Sequence, residues 1–256
     1  MDRWSMGRHS MGTREKTARA SWQAKASERS PVDWGRLARE LVLPLVIIAL
    51  ALLWAVAGPR ISPPVTPPEA FLVLILITAA TALVVRQLRI RNDLDAQATL
   101  ALPDPLYTLY LAAVILAGAP AAIVLAVATP LVASAPELFR APQRLGEALR
   151  QSAAAAATTF AASLTYMGLS NALAPHIGTL HGHLFAALVA SVVTFAGAGI
   201  FRVLEYSVVS RDLTASWNAY LASPALRFQF MMLALGPLLP LAELLDDLEA
   251  ELAWML

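Results

Sequence analysis

His176, His181 and His183 form the one cluster in this sequence with metal-ligand character. A His-x-His pair with a third imidazole nearby has the donor chemistry for zinc, and Glu243 or Asp246 would offer a fourth donor from the same side of a membrane. The spacing is not diagnostic, and histidines are ordinary in polar external loops. A solvated loop is therefore expected over a metal centre. Arg202 and Glu205, three residues apart, share a helical face and can pair. Ionisable groups within apolar segments point to function by default. These two sit about one turn from the end of their segment, where an arginine can snorkel to the headgroups. The expectation is an anchoring ion pair, with a gating or proton-relay role as the alternative.

A third group could hold a ligand. Asp104, Tyr107 and Tyr110 open a long uncharged stretch that is interrupted at Gly118 and Pro120, and the two tyrosines fall on one helix face. The competing role for them is an aromatic belt at the membrane boundary. Tyr166 and Asn171, with Thr165 and Ser170, could line a pocket or serve as hydrogen-bonding glue between helices. Catalytic signatures are absent: there is no Gly-x-x-x-x-Gly-Lys, Gly-x-Gly-x-x-Gly, His-Glu-x-x-His or Gly-x-Ser-x-Gly. Neither an enzymatic activity nor a cofactor is expected.

The elements that would position these residues follow from composition. The chain is 58% hydrophobic and only 14% charged, and its mean hydropathy is +0.61. Soluble domains are about 25% charged, so an all-α, polytopic transmembrane helical bundle is expected, with the lipid bilayer as its first partner. With no cysteine, disulfides and thiol chemistry are excluded. Nearly half of the 19 Lys and Arg residues precede Leu41 and none follows Arg227. Such asymmetry orients a membrane protein, N-terminus in the cytoplasm, and does not imply nucleic-acid binding.

Residues 104–135 organise the rest. No charge occurs between Pro105 and Ala135. As one helix this stretch would be about 45 Å long, against a hydrocarbon core of about 30 Å. Gly118-Ala119-Pro120 breaks it near the middle. Arg86, Arg89 and Arg91 precede it, and Arg140, Arg144 and Arg150 follow it, so both flanks are expected to face the cytoplasm. The reading is a hairpin of two arms, each about 14–16 residues and too short to span alone. Short or Gly/Pro-interrupted segments of this kind tend to line internal sites.

In chain order, 1–30 reads as a disordered basic cytoplasmic tail and 31–40 as an interfacial lead-in carrying Trp34. The span 41–58 runs outward, 59–69 is a proline-stiffened external linker, and 70–85 returns. After the hairpin, 136–150 reads as an amphipathic surface helix. The span 151–173 runs outward, 174–183 is an external loop, and 184–206 runs inward with Ala196-Gly197-Ala198-Gly199 permitting close helix approach. Residues 207–227 are expected in the cytoplasm, with Arg211, Trp217 and Arg227 as anchors, and 228–245 as the last crossing, giving six to seven in all. The bundle is thus 31–245, and 246–256 is an acidic amphipathic tail or the start of a truncated last helix.

The stretch Tyr107-Thr-Leu-Tyr-Leu-Ala-Ala-Val-Ile-Leu-Ala-Gly-Ala-Pro-Ala-Ala-Ile-Val-Leu-Ala-Val127 resembles the short hairpin in the N-terminal membrane modules of bacterial HD-GYP and GGDEF cyclic-dinucleotide signalling proteins. The order that follows is also similar, through Trp217 to Leu235-Gly236-Pro237-Leu238-Leu239. This resemblance of pattern and spacing over about residues 70–245 implies a sensor in the bacterial inner membrane. Its shape would be akin to the substrate-binding components of energy-coupling-factor transporters. In the family a further crossing leads into a cytoplasmic output domain, whereas here the sequence stops at Glu251-Leu-Ala-Trp-Met-Leu256. The output would then be a separate cytoplasmic signalling partner, or the protein is truncated or split. The implied function is a sensor-like module binding a small apolar ligand. The alternatives are the substrate-binding subunit of a small-molecule importer and a structural accessory subunit of a larger membrane complex.

Overall fold

A computed structural model describes residues 34–57, 68–91, 105–138, 145–210, 212–223, 226 and 230. The described residues form seven α-helices and no strand: α1 (Trp34–Ala57), α2 (Pro68–Arg91), α3 (Leu106–Leu116), α4 (Ala119–Leu138), α5 (Leu145–Ile177), α6 (Thr179–Ser210) and α7 (Leu213–Leu221). The chain divides into two units, Met1–Arg39 and Glu40–Leu256. Only 34–39 of the first is described, as the opening of α1. The expected tail over 1–30, residues 59–67 of the linker expected over 59–69, the segment 92–104, the last crossing apart from Phe230, and the acidic tail lie outside the described residues. Residues 68 and 69 open α2 instead of ending the linker.

Two single-glycine corners set the path. The Ala117 N–H donates to the Ala113 carbonyl at 2.9 Å and closes α3, and Gly118 follows at φ +84°. This left-handed conformation is one that glycine adopts without steric penalty. The Gly118 carbonyl then accepts the Ala122 N–H at 3.1 Å, so one residue ends α3 and starts α4. Pro120 falls in the first turn of α4, where its missing N–H is not needed. Gly178 repeats the device at φ +87°: its N–H donates to the Ala174 carbonyl at 3.1 Å, and its carbonyl accepts from Gly182 at 2.9 Å.

The break at Gly118 is where the sequence placed it, but the two pieces are unequal. α3 has 11 residues, about 16 Å, while α4 has 20, about 30 Å. The expectation of two undersized arms is therefore corrected: α4 alone is long enough to cross, because Pro130 and Pro136 do not end it. The external loop over 174–183 also disappears. The Gly178 corner lets α5 run to Ile177 and α6 start at Thr179. The surface helix expected over 136–150 is divided as well, 136–138 ending α4 and 145–150 opening α5.

Residues Tyr110 to Ile115 of α3 are all buried, so every side of the helix is covered, as an apolar surface all round requires. Its neighbours are α2, α4, α5 and α6. The cluster joins Leu74, Ala122, Ala126, Ala155, Ala162, Tyr166 and Ala186 to α3. A second cluster ties Ile48 and Ala51 of α1 to Ile123 and Val127 of α4 and to Leu149, Ala153 and Ala156 of α5, with Trp54 edge-on to Phe160 at 5.0 Å.

Small residues share the interior with the large ones of the two clusters, while many other large apolar side chains lie outside. Alanine dominates the buried apolar positions, and Ser152, Ser163, Thr158, Thr159, Thr78 and Ser191 are buried with it. Many large apolar side chains face outward: Val42, Leu43 (66% exposed), Val46, Leu50 and Leu53 on α1, and Leu72, Val73, Leu76 (68% exposed), Ile77 and Val84 on α2. Monomeric soluble proteins rarely leave contiguous apolar surface of this extent. Two described helices contain segments long and apolar enough to cross a membrane, Ala119–Pro136 and His181–Leu204. Shorter apolar stretches run over Leu41–Ala57, Leu72–Val85 and Leu106–Leu116.

Buried hydroxyls are mostly satisfied within their own helices. Thr78, Thr129, Ser163, Ser191 and Thr194 each donate to the carbonyl four residues back at 2.7–2.8 Å. Ser152 instead donates across to the Val127 carbonyl at 3.0 Å, linking α5 to α4. Close approach needs the glycines of α6. A Cβ on Gly182 would lie 2.8 Å from the Ala174 backbone nitrogen, and one on Gly197 2.9 Å from the Thr158 side chain. Gly182→Ala should therefore destabilise the protein by about 1–3 kcal/mol, because backbone must move. Gly168→Ala, which meets nothing within 4 Å, should be neutral or stabilise by up to about 1 kcal/mol. Thermal unfolding of both variants in detergent checks this pair of opposite signs.

Candidate functional site

The structure gathers some of the expected residues and separates others. Tyr107 and Tyr110, one turn apart on α3, make an edge-on ring contact with centroids 6.0 Å apart. Tyr110 is buried (2% exposed), and Tyr107 is half-buried against the same cluster, which also contains Tyr166 of α5. Three tyrosines therefore belong to one apolar cluster around the short helix. Asp104 lies outside the described residues. Gly118 and Pro120 stand at the other end of α3, roughly 16 Å from its start, and form the corner. Asn171 is exposed. It follows Tyr166 by five residues, about 140° around the helix, and so points away from the cluster.

Tyr166 has a polar partner that the sequence did not suggest. Its hydroxyl lies 2.9 Å from His183 Nδ1, with the rings tilted at 46°. The hydroxyl donates when Nδ1 carries no proton and accepts when it does. The residues are 17 apart in sequence and meet because the Gly178 corner lays α6 on α5. No local spacing signals such a contact; only the position of the corner does. His176 and His181 are exposed. Among the described residues no group of three His, Asp or Glu side chains is placed to hold a metal ion, and Glu243 and Asp246 lie outside the described residues. Instead of lying in an external loop, the three histidines stand on two helices either side of the corner.

At the other end of α6, Arg202 is half-buried and acts electrostatically on Tyr220 of α7. The Glu205 side chain lies outside the described residues. Tyr220 packs where a Cβ on Gly199 would sit, 2.6 Å from the hydroxyl, and forms a small cluster with Val203. Asp212 caps α7, its Oδ1 accepting the Ala215 N–H at 3.0 Å, and this fixes the angle at which Ser216 and Tyr220 reach α6. The sequence carries a local cue for α7 itself, an Asp N-cap with Ser216 and Tyr220 one turn apart, but none for its packing against Gly199.

Burial pushes the Tyr220 hydroxyl above its ordinary value, while the Arg202 charge pulls it down by less. Among the described residues Thr158 Oγ1 and Thr159 Oγ1 are buried without a hydrogen-bond partner.

No protein-family model matches this chain, and neither a curated protein nor a solved structure matches it. The likeness to cyclic-dinucleotide sensor modules rests on sequence pattern alone.

Two predictions follow from these contacts. Tyr166→Phe should cost about 1 kcal/mol by removing one hydrogen bond. In the His183→Leu background the same change should cost less, which a double-mutant cycle in detergent reads directly. For Tyr220, the folded state holds the proton more tightly than the unfolded state. The stability this gives is complete below pH 10.0 and is lost as pH rises beyond it. Tyr220→Phe should flatten that decline in thermal unfolding measured from pH 8 upward.

Proposed function

We propose that this chain is a multi-pass integral membrane protein of the bacterial cytoplasmic membrane, and that its bundle is a sensor-like module that binds a small apolar ligand without catalysing a reaction. The observation that carries the membrane reading is the set of large Leu, Val and Ile side chains exposed on α1 and α2, around an interior rich in Ala, Ser and Thr. Lipid tails solvate large apolar side chains as well as another helix does, so only close fit rewards contact between helices.

The arginine clusters before and after the uncharged middle put both flanks and the N-terminus in the cytoplasm. Six to seven crossings then follow, with the chain entering through α3 and returning through α4. The ligand would lie beside α3. This helix has about a third of the length of α5 and α6, and its first residues, 106–109, are half-buried whereas 110–115 are buried. Tyr107, half-buried, offers an aromatic face there, with the buried Tyr110 ring behind it at 6.0 Å, and a cytoplasmic partner would receive the signal.

N-phenyl-1-naphthylamine, a fluorescent apolar probe, tests the ligand reading on purified protein in maltoside. Saturable binding is expected, weakened up to about tenfold in Tyr107→Ala, the equivalent of one aromatic contact. Non-saturable partitioning, identical in both proteins, would contradict it.

A further inference from the structure

We propose that α7 is an interfacial helix whose Leu213–Trp217–Leu221 stripe is immersed in the lipid leaflet. The inference rests on the membrane reading and names the surface at which α7 meets the bilayer. At about 100° per residue, the nine residues of α7 divide into three faces. Ser216 and Tyr220 are buried against the bundle. Next around the helix come Leu213, Trp217 and Leu221, at 57%, 45% and 47% exposure, a continuous and exposed apolar stripe. Beyond it Thr214 and Asn218 are exposed and polar.

A helix packed on the flank of a bundle at the membrane surface needs this order: protein, then hydrocarbon, then water. A helix in bulk water would have no use for the middle face. The occupant is lipid because the stripe continues a surface of the same kind. Ile200 and Leu204 are exposed on the last turns of α6, beside the Gly199 and Val203 positions against which Tyr220 packs. Tryptophan suits that level, since its ring is apolar while its N–H can reach headgroups. Arg202 is half-buried at the same end, beside Tyr220.

The absence of cysteine permits a direct test. Single cysteines at Leu213, Thr214, Trp217, Asn218 and Leu221 would carry nitroxide labels in the full-length protein reconstituted in phosphatidylcholine–phosphatidylglycerol vesicles. A label at Val192 within α6 serves as the lipid-exposed reference. Collision with oxygen relative to a water-soluble nickel chelate should be several-fold higher at 213, 217 and 221 than at 214 and 218. If 213, 217 and 221 favour nickel while Val192 favours oxygen, the interfacial placement of α7 is overturned and the membrane reading stands. Nickel preference at Val192 as well would overturn both. Shielding of the stripe from both reagents would show a protein partner there and would also overturn the proposal.

Discussion

Helices in a hydrocarbon solvent gain nothing by hiding leucine from lipid, so their association depends on how closely their backbones can approach. That single constraint explains which residues lie inside this bundle. Ala113, Ala122, Ala126, Ala156, Ala186 and Ala190 are all but inaccessible, while Leu43, Leu76 and Val132 project outward. It also explains where glycine is spent: Gly182 touches the Ala174 backbone, Gly197 the Thr158 side chain and Gly199 the Tyr220 ring. Hydroxyls are tolerated because most bond back to their own helix, leaving the interhelical surfaces smooth.

The corner at Gly118 obeys the same rule, since a loop inside an apolar medium exposes backbone groups that nothing can satisfy. The Gly178 corner, among exposed His176, Ile177 and Thr179, uses the same device at the end of the apolar span. At Gly118 and Gly178 the reversal uses a single left-handed residue whose neighbours stay in hydrogen-bonded turns. α3 and α4 therefore follow each other without a loop, as do α5 and α6. Their packing then sets Tyr166 against His183 and the α3 tyrosines against the α5 cluster.

Helical class and the break at Gly118 were legible in the sequence because both follow from composition and from residues with strong backbone preferences. Helix lengths were not. A hydropathy boundary marks where polar residues begin, and α5 continues through Glu147, Arg150 and Gln151 to Leu145 regardless. Likewise Gly178 was absorbed into an expected loop, since its polar neighbours His176, His181 and His183 suggested solvent more strongly than a corner. The grouping of Tyr107 with Tyr110 followed from helical spacing alone. Tyr166–His183 and Tyr220–Gly199 depend on which helix lies beside which, and that is not written in any local pattern.

Under the proposed topology the chain returns to its starting side after Gly118, and that step sets the orientation of every later helix. Gln87 on α2 and Glu147 on α5 are both exposed, and they bracket the uncharged stretch. Single cysteines at these two positions, challenged with a membrane-impermeant maleimide in intact cells and in inside-out vesicles, read the geometry directly. Both should react only in the inside-out vesicles. Reaction of one from the outside and the other from the inside would mean that α3 and α4 together cross the membrane once, and the proposed topology would be wrong.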